Sequence, residues 1–393
     1  MTRVFLRPRP LAASEEGDAL VEYVHERDGV SVHTAASVQH FQPLAGVLSP
    51  VNSAAYAETL APLMADVMAG ATACCFAYGH TNSGKTHTIF GYDHERGLYQ
   101  HAVDDLFAHA PATGRLVQVR FFELYNGKAF DLLDGRRPGF VREDRDGTIH
   151  VRSETTMGPN GEVVRSGASA RAQGTSELHG QSSRSHAILE LEIVTQRLAE
   201  ARQALVHAKS RVVPAGKARD DLYIAIQSKL YKQGDDGKYI CIGVASAEDT
   251  ERLAGLEAQL RVAEGEVHLA EAKVAEAMGE TSSAIGGMLV LVDLAGAEYT
   301  GEGLARSSKE LREAREINGS LLALKECIRA QAEGGRHTPF RNSKLTMLLR
   351  SHLAPANADR TIMIANVSSS AAMAAKAINT IKYAALVADA YSK

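Results

Sequence analysis

A phosphate-binding pattern lies between residues 79 and 86. Gly79 to Thr86 reads G-H-T-N-S-G-K-T and fits G-x-x-x-x-G-K-[ST] at every fixed position. Glycines at both ends of such a loop let backbone N–H groups and the next helix N-terminus face a phosphate. We expect Lys85 to bridge β- and γ-phosphate oxygens and the Thr86 hydroxyl to ligate Mg²⁺. The apolar run Thr72 to Ala77 precedes the loop, which is the strand–loop–helix context that this chemistry requires.

Two further segments have residue types that suit a nucleoside triphosphate site. The apolar run Met288 to Val292 ends in Asp293-Leu294-Ala295-Gly296-Ala297-Glu298. An aspartate at such a strand end can hold an Mg²⁺-bound water, and the Gly296 N–H can sense a γ-phosphate. Ser182-Ser183-Arg184-Ser185-His186 supplies hydroxyls and a guanidinium just before another apolar run. Alone, that serine cluster is typical of an ordinary loop, but beside the other two segments it indicates a third part of the same site.

The elements that must position these segments are short apolar strands alternating with helical stretches. Several strand candidates are apolar on both faces, as in a covered and largely parallel sheet. The candidates are Val4-Phe5-Leu6, Thr72 to Ala77, Leu116 to Tyr125, Ala187 to Val194, Met288 to Val292 and Thr361 to Val367. The pattern predicts an α/β fold over residues 1–196 and 286–393.

Residues 197–285 have a different texture and predict an insertion. Apolar residues recur at alternating steps of three and four, which is a heptad seam. They are Leu198, Ala201, Leu205 and Ala208, and then Leu253, Leu256, Leu260, Ala263, Val267, Ala270, Val274 and Ala277. Between them, Leu222 to Leu230 and Tyr239 to Val244 flank a Gly-Asp-Asp-Gly turn and predict a small β-hairpin. We interpret the segment as two antiparallel helices with a β tip; the alternative is a solvated helical excursion without a partner.

The composition excludes several classes of protein. Lys and Arg number 43 against 47 Asp and Glu, a net charge of −4, so binding to an acidic polymer requires a local patch. The four cysteines form no C-x-x-C pair and indicate a reducing compartment. No apolar run approaches the roughly 18 residues of a membrane helix, and the N-terminus has no signal core. We therefore expect a soluble cytoplasmic protein that binds neither membrane nor nucleic acid.

The order of the three chemical segments resembles the kinesin motor domain, in which S-S-R-S-H and D-L-A-G-x-E are switch I and switch II. The likeness continues through Glu313 to Leu321, E-A-R-E-I-N-G-S-L, and His337 to Leu345, H-T-P-F-R-N-S-K-L. Arg7 to Leu11 looks like the family's adenine-side strand, and Asn379 to Ala384 like its last helix. The resemblance implies a P-loop NTPase fold over residues 1–393, a three-layer α/β/α sandwich with a mostly parallel central sheet, interrupted by the hairpin 197–285.

The same resemblance implies ATP or ADP and Mg²⁺ as cofactors. The implied nucleotide contacts are Arg7, Arg9, Pro10, Gly79, His80, Thr81, Asn82, Ser83, Gly84, Lys85, Thr86 and His87, with Arg7, Arg9, Pro10 and His87 flanking the adenine. The implied metal residues are Thr86, Ser183 and Asp293. The implied catalytic residues are Lys85, Ser182, Ser183, Arg184, Asp293, Gly296 and Glu298, with an Arg184–Glu298 ion pair that closes around the γ-phosphate.

A cationic cluster predicts the partner of the net-negative chain. In the family, the segment that it occupies contacts tubulin, which implies a microtubule partner and a cytoskeletal location. The cluster comprises Lys325, Arg329, Arg336, His337, Arg341, Lys344 and Arg350, of which we expect Lys325, Arg329, His337, Arg341 and Lys344 to bind the filament. The alternative is a merely solvated basic surface. We expect the chain itself to be a monomer.

Some residues depart from the family pattern, and others indicate a subclass. His179 replaces an expected Asn in switch I and could slow hydrolysis, while His80, Asn82 and Gly319 replace a Gln, a small residue and a Lys. Phe121 to Leu133 and the run K-E-C-I-R-A at Lys325 to Ala330 look like the microtubule-depolymerising internal-motor class, kinesin thirteen. Against that class, no Lys-Val-Asp tripeptide precedes the phosphate loop, and no basic neck precedes the first strand.

The leading hypothesis is an ATPase that uses hydrolysis to remove tubulin from filament ends. One alternative is a kinesin that steps along the lattice. Another, motivated by His179, is a hydrolysis-impaired adaptor that binds microtubules. A GTPase would also carry D-x-x-G, but the sequence has no N-K-x-D base-reading motif.

Overall fold

The computed structural model describes most of the chain as two compact units. The described residues are 2–11, 15, 19–92, 95–109, 115–143, 149–152, 156–157, 184–233, 238–279, 285–297, 308–333, 337–353 and 355–390. One unit comprises Met1–Ile193 and Gly286–Lys393, and the other comprises Val194–Ile285. Among the described residues, no helix combines the length and the apolarity needed to cross a membrane.

A mixed sheet organises the first unit. Its strands are β1 (Arg3–Arg9), β5 (Gly46–Val47), β6 (Thr72–Tyr78), β9 (Leu116–Tyr125), β10 (Lys128–Asp131), β11 (Arg137–Glu143), β12 (Ile149–Arg152), β13 (Thr156–Met157), β14 (His186–Val194), β17 (Met288–Asp293) and β18 (Thr361–Ser368). They lie in the order β12-β11-β10-β9-β14-β17-β6-β18-β1-β5, with β13 beside β9. The neighbours from β17 to β5 are parallel, whereas β14 runs antiparallel to β17 and the far edge is antiparallel. All six predicted strands are confirmed.

Smaller sheets and helices complete this unit. Short antiparallel sheets form from β2 (Glu22–Glu26), β3 (Gly29–His33) and β4 (Val38–Phe41), and from β7 (Gly91–Tyr92) and β8 (Glu95–Arg96). The helices are α1 (Asn52–Glu58), α2 (Ala61–Met68), α3 (Lys85–Phe90), α4 (Leu98–His109), α7 (Ser308–Ala332), α8 (Lys344–Leu349) and α9 (Ala374–Ala390), and 3₁₀ turns span Phe340–Asn342, Pro355–Arg360 and Ala371–Met373.

Two apolar cores cover the two faces of the sheet, which gives the three layers that the resemblance implies. Alternate residues of β17 enter different cores, because successive side chains of a strand point to opposite faces. Val290 joins the cluster that contains Leu324 of α7 and Ile381 of α9. Leu289 joins the cluster that contains Leu63 of α2 and Leu106 of α4. The strand is therefore apolar from Met288 to Val292. Asp293, at its end, is polar and is a candidate for a functional role.

The second unit is a long helical hairpin. Its helices are α5 (Gln196–Leu230) and α6 (Ala247–Gly279), and two short strands, β15 (Tyr231–Gln233) and β16 (Tyr239–Cys241), pair between them. The seam holds heptad-spaced alanines, including Ala201 and Ala208 of α5 and Ala263 and Ala270 of α6, all buried. Ion pairs cross between the helices, such as Arg211–Glu266 at 2.7 Å and Arg197–Glu276 at 2.8 Å. Small seam residues and opposite flanking charges account for an antiparallel pair in a polar sequence.

One sequence expectation for this segment is wrong. Leu222 to Leu230 was predicted as an arm of the β-hairpin, but it continues α5, and the strand begins only at Tyr231. Ile226, 3% exposed, keeps to the buried helical seam. Packing against a partner helix outweighs the weak strand preference of the local residues.

Candidate nucleotide site

The phosphate loop joins β6 to α3 through a tightly packed turn. A side chain at Gly79 is excluded, because an added Cβ would lie 2.2 Å from the carbonyl oxygen of Asn366 in β18. Gly84 has φ +96°, a left-handed conformation that glycine adopts at little cost. The two fixed glycines of the motif therefore serve close packing at one end of the loop and the turn into α3 at the other.

Lys85 folds back across this loop. Its Nζ donates to the carbonyl oxygens of Gly79 at 3.0 Å and His80 at 2.8 Å, and the residue is only 6% exposed. Ser83 Oγ, also in the loop, is buried without a hydrogen-bond partner among the described residues. A buried ammonium group and an unsatisfied hydroxyl in one loop suit an anionic, hydrogen-bonding ligand.

The segment Asp293 to Gly296, called the D-L-A-G segment, lies directly against this loop. The Thr86 hydroxyl donates to Asp293 Oδ2 at 2.8 Å. The Ala297 N–H donates to the Gly79 carbonyl oxygen at 3.2 Å. Gly296 packs so closely that an added Cβ would lie 2.2 Å from Thr81 Oγ1. The hydroxyl and the carboxylate are oxygen ligands of the kind that Mg²⁺ prefers, so the donor set fits a magnesium–nucleotide complex.

Parts of the predicted switches fall outside the described residues, namely His179, Ser182, Ser183 and Glu298. Arg184 is described, and it pairs with two acids of α7. Its Nη1 lies 3.0 Å from Glu313 and its Nη2 lies 3.3 Å from Glu310. Tyr125 also donates a hydrogen bond to Glu313. The guanidinium is thus linked to α7.

On the predicted adenine side, Arg7 and Arg9 differ. Arg7 is 3% exposed and donates to Thr88 Oγ1 at 2.6 Å and to the carbonyl oxygen of Ser49 at 3.1 Å. Burial lowers the pKa of Arg7 to about 10. Arg7 therefore holds β1 against α3, and its contact with the adenine stays a prediction. Arg9 is more exposed, lies beside the loop and donates to the Asn82 carbonyl oxygen at 2.9 Å.

His87, the other predicted adenine contact, is partly exposed. Its Nε2 lies 3.1 Å from Glu95 Oε2, and its ring lies 5.8 Å, centroid to centroid, from that of Tyr92. Glu95 also accepts from the Asn52 N–H at 2.7 Å. The imidazole is oriented by a carboxylate that the sequence did not single out.

His80 replaces a polar amide of the family pattern, and the structure buries it at 2% exposure. Burial first, and then the positive charge of Lys85, lower the pKa of His80 to about 4. The side chain is therefore neutral at physiological pH and adds no second charge to the loop.

Some of the predicted filament-binding side chains are exposed, and others contact neighbouring residues of the same chain. Arg329 and His337 are exposed, whereas Arg336 lies outside the described residues. Lys325 is only half exposed, with Nζ 4.6 Å from the centre of the Tyr383 ring, and its burial lowers its pKa. Lys344 is exposed but donates to the Gly127 carbonyl oxygen at 2.5 Å. Lys325 thus stabilises the packing of α7 on α9, which weakens its case as a filament contact.

Glu143 joins this cationic surface and was missed from the sequence. It accepts from Arg341 Nε at 2.8 Å and Nη2 at 3.0 Å, and from Arg350 Nη1 at 2.9 Å. These hydrogen bonds, led by that from Arg341, lower the pKa of Glu143. No local pattern around Glu143 could have revealed this contact, because its partners lie about two hundred residues later in the sequence.

Comparisons with known proteins give a consistent result. A family model described as the kinesin motor domain matches residues 13–215 and 266–389, which is more than half of the chain. The chain is 27% identical over 404 residues to the mouse "Kinesin-like protein KIF24" and 28% identical over 410 residues to the rice "Kinesin-like protein KIN-13A". Each match covers 97% of this chain, but only 23% of the mouse protein and 40% of the rice protein. The chain therefore spans about a quarter of the length of the mouse protein and two fifths of the length of the rice protein.

Solved structures share the fold. A fast kinesin, 23% identical, superposes with a TM-score of 0.66 over 98% of this chain and 90% of that one. A KIF14 dimer solved with AMP-PNP in complex with a microtubule, 22% identical, gives a TM-score of 0.65 over 98% of this chain and 93% of that one. At these identities, the likeness shows the architecture alone.

Proposed function

Since the chain belongs to the kinesin motor domain family, we propose that it is an ATP hydrolase whose turnover is stimulated by microtubules. The observation that carries the proposal is the packing of the D-L-A-G segment on the phosphate loop. Thr86 and Asp293 meet at 2.8 Å there, and Gly296 leaves no room for a Cβ beside Thr81. We therefore expect a phosphate that enters or leaves the loop to shift the backbone of the D-L-A-G segment.

The residues of the site divide the chemistry of phosphoryl transfer among them. Lys85 supplies positive charge at the transferred phosphate, and the hydroxyl of Thr86, the carboxylate of Asp293 and Ser183 hold the metal side. Mg²⁺, when bound, neutralises charge that develops on the β- and γ-phosphate oxygens. We assign the Gly296 N–H to the terminal phosphate, where it would sense whether that group is present. This division uses positioning and electrostatics, with no covalent intermediate on the protein.

Arg184 gives the site a means of changing shape. We assign it an ion pair with Glu298 in the hydrolysis-competent state, to which Ser182 also contributes. Among the described residues, Arg184 contacts Glu310 and Glu313 of α7. Because the same guanidinium contacts α7 and is assigned the pair with Glu298, we expect the state of the nucleotide to alter the contacts of that helix.

The exposed basic residues at the end of α7 and around α8 provide the proposed filament surface. Arg329, His337, Arg341 and Lys344 lie in this region, and a local positive potential can attract an acidic polymer although the chain carries a net charge of −4. The association should be fast and sensitive to salt, as steering by exposed charges predicts.

Within the family, we favour depolymerisation of microtubules over stepping. Support comes from the run K-E-C-I-R-A at Lys325 to Ala330 and from the similarity to a rice protein named KIN-13A. The missing Lys-Val-Asp tripeptide before the loop counts against this subclass. The alternatives remain a stepping motor and an adaptor that binds microtubules without efficient hydrolysis.

Two assays test the proposal. The first measures ATP turnover at increasing concentrations of stabilised microtubules, and we expect turnover to rise to a plateau. Filament binding without any stimulation would favour the adaptor. The second images stabilised filaments with the chain and ATP: shortening supports depolymerisation, and gliding supports a stepping motor.

A further inference from the structure

A buried histidine at the start of β14 connects the D-L-A-G segment to α7. His186 is 5% exposed. Its Nδ1 accepts a hydrogen bond from the Ala295 N–H at 3.0 Å, and its Nε2 lies 2.8 Å from Ser320 Oγ. Ser320, 7% exposed, in turn donates to the Ile317 carbonyl oxygen at 2.8 Å within α7.

The hydrogen bond from the Ala295 N–H to His186 fixes the direction of the other two hydrogen bonds. A backbone N–H can only donate, so Nδ1 of His186 must carry a lone pair. The proton of the neutral ring then resides on Nε2, which donates to Ser320 Oγ. That leaves the Ser320 hydroxyl proton for the Ile317 carbonyl oxygen. The contacts form one ordered relay with a defined tautomer, from Ala295 through His186 and Ser320 to Ile317.

The two ends of the relay lie in parts of the protein with different proposed tasks. Ala295 immediately precedes Gly296, the residue that packs on Thr81 of the phosphate loop. Ile317 and Ser320 lie in α7, which also carries the exposed Arg329. Because the linking groups are buried, a shift of Ala295 leaves a polar group unpaired unless the imidazole and α7 follow.

We propose that His186 is a positioning residue that couples the conformation of the D-L-A-G segment to α7. This inference deepens the proposed function and rests on it. Arg184 reaches α7 through ion pairs to the partly exposed Glu310 and the buried Glu313, whereas the His186 relay works through neutral, buried hydrogen bonds of fixed direction. A purely structural role would cost stability when the relay is broken, but it would leave the response of α7 to nucleotide intact.

Two substitutions break the relay at its second link. In His186→Asn, the amide oxygen can still accept from the Ala295 N–H, but the shorter side chain cannot reach Ser320. Ser320→Ala removes the acceptor itself. Thr59→Ala is a matched control, because it removes a fully buried hydroxyl that donates within its own helical turn, to Ala55, outside the relay.

The test is amide hydrogen exchange of Ser308–Ala332 in the full chain, with Mg-ADP and with a non-hydrolysable ATP analogue. In the wild type and in Thr59→Ala, we expect exchange rates to differ between the two nucleotides by about fivefold or more. In His186→Asn and Ser320→Ala, the difference should fall below about twofold, and the double variant should lose no more than either single one. Affinity for ADP should stay within about twofold of wild type in all of them.

The outcomes separate the two proposals. A full nucleotide response in both relay variants would overturn the role of His186, as would a wild-type α7 that does not respond to nucleotide. Wild-type turnover that microtubules fail to stimulate would contradict the proposed function alone, because the exchange comparison requires no filament.

Discussion

The hydroxyl of Thr86 donates a 2.8 Å hydrogen bond to Asp293, a residue 207 positions later in the chain. The parallel pairing of β6 with β17 produces this contact, since the carboxyl ends of both strands lie at the same edge of the sheet. The register pairs Asp293 with Ala77, two residues before the loop. The sheet thus brings the two residues of the proposed metal side together from two distant segments.

Replacing Lys85 should remove the charge on which phosphate binding depends. We expect Lys85→Ala to lower ATP turnover by about 100-fold or more, because loss of one preorganised charged donor commonly has such an effect. Circular dichroism should still show a folded chain. Lys382→Ala, which removes an exposed lysine of α9, is the control and should retain wild-type turnover. Normal turnover in Lys85→Ala would exclude this loop as the catalytic site.

His80 should make the protein less stable in mild acid. Its pKa is lowered to about 4 in the folded state from an ordinary 6.5, so below pH 6.5 the unfolded chain binds a proton that the folded chain does not. By linkage, the free energy of unfolding falls by about 2 kcal/mol through this residue between pH 7 and pH 5.

In His80→Gln, this proton-linked loss disappears. Urea unfolding at pH 7 and pH 5 measures it: the variant should lose about 2 kcal/mol less than wild type. His268→Gln, at an exposed position in α6, serves as control. An equal loss in His80→Gln and wild type would contradict the buried, neutral state of His80.

Glu143 should weaken filament binding by neutralising Arg341 and Arg350. We expect Glu143→Gln to tighten microtubule binding about two- to fivefold at low salt, within the range for exposed ion pairs. Cosedimentation at several salt concentrations measures this effect. Glu58→Gln makes the same charge change on α1 and should have no effect. Unchanged or weaker binding by Glu143→Gln would remove these arginines from the filament surface.

The helical hairpin should be dispensable for basal hydrolysis. The Ile193 N–H donates to the Gly287 carbonyl oxygen at 2.8 Å, and the Gly286 N–H donates back to Ile193 at 2.8 Å. Two or three glycines could therefore replace residues 197–285. We expect this deletion to keep basal turnover within about twofold. An insoluble or inactive product would mean that the hairpin belongs to the folding core.

The parts of the fold that were predictable are those with strong local patterns. Thr72–Tyr78 and Met288–Asp293 are buried on both faces, so their sequences are apolar runs that end in chemically distinctive residues. The strand Glu22–Glu26 was not predicted, because most of it is exposed and its residues are mainly polar. The alternation of apolar and polar residues that predicts a strand is weak in a strand that is mostly exposed to solvent.

The contacts missed from the sequence are long-range ones between side chains. Lys325 was predicted as a filament contact, and its Nζ also lies 4.6 Å from the centre of the Tyr383 ring, a neighbour 58 positions later in the chain. The relay through His186 and Ser320 spans 134 positions. Only the packed structure shows which polar groups share a buried partner, because single-sequence patterns carry no distances.

The most direct test of the account is a crystal structure of the chain with Mg²⁺ and a non-hydrolysable ATP analogue. We predict that the triphosphate lies in the loop from Gly79 to Thr86, in contact with Lys85, and that Thr86 and Asp293 lie on the metal side. A nucleotide bound elsewhere, with this loop empty and Asp293 remote from the metal, would contradict the assignment of the site and the proposed motor function with it.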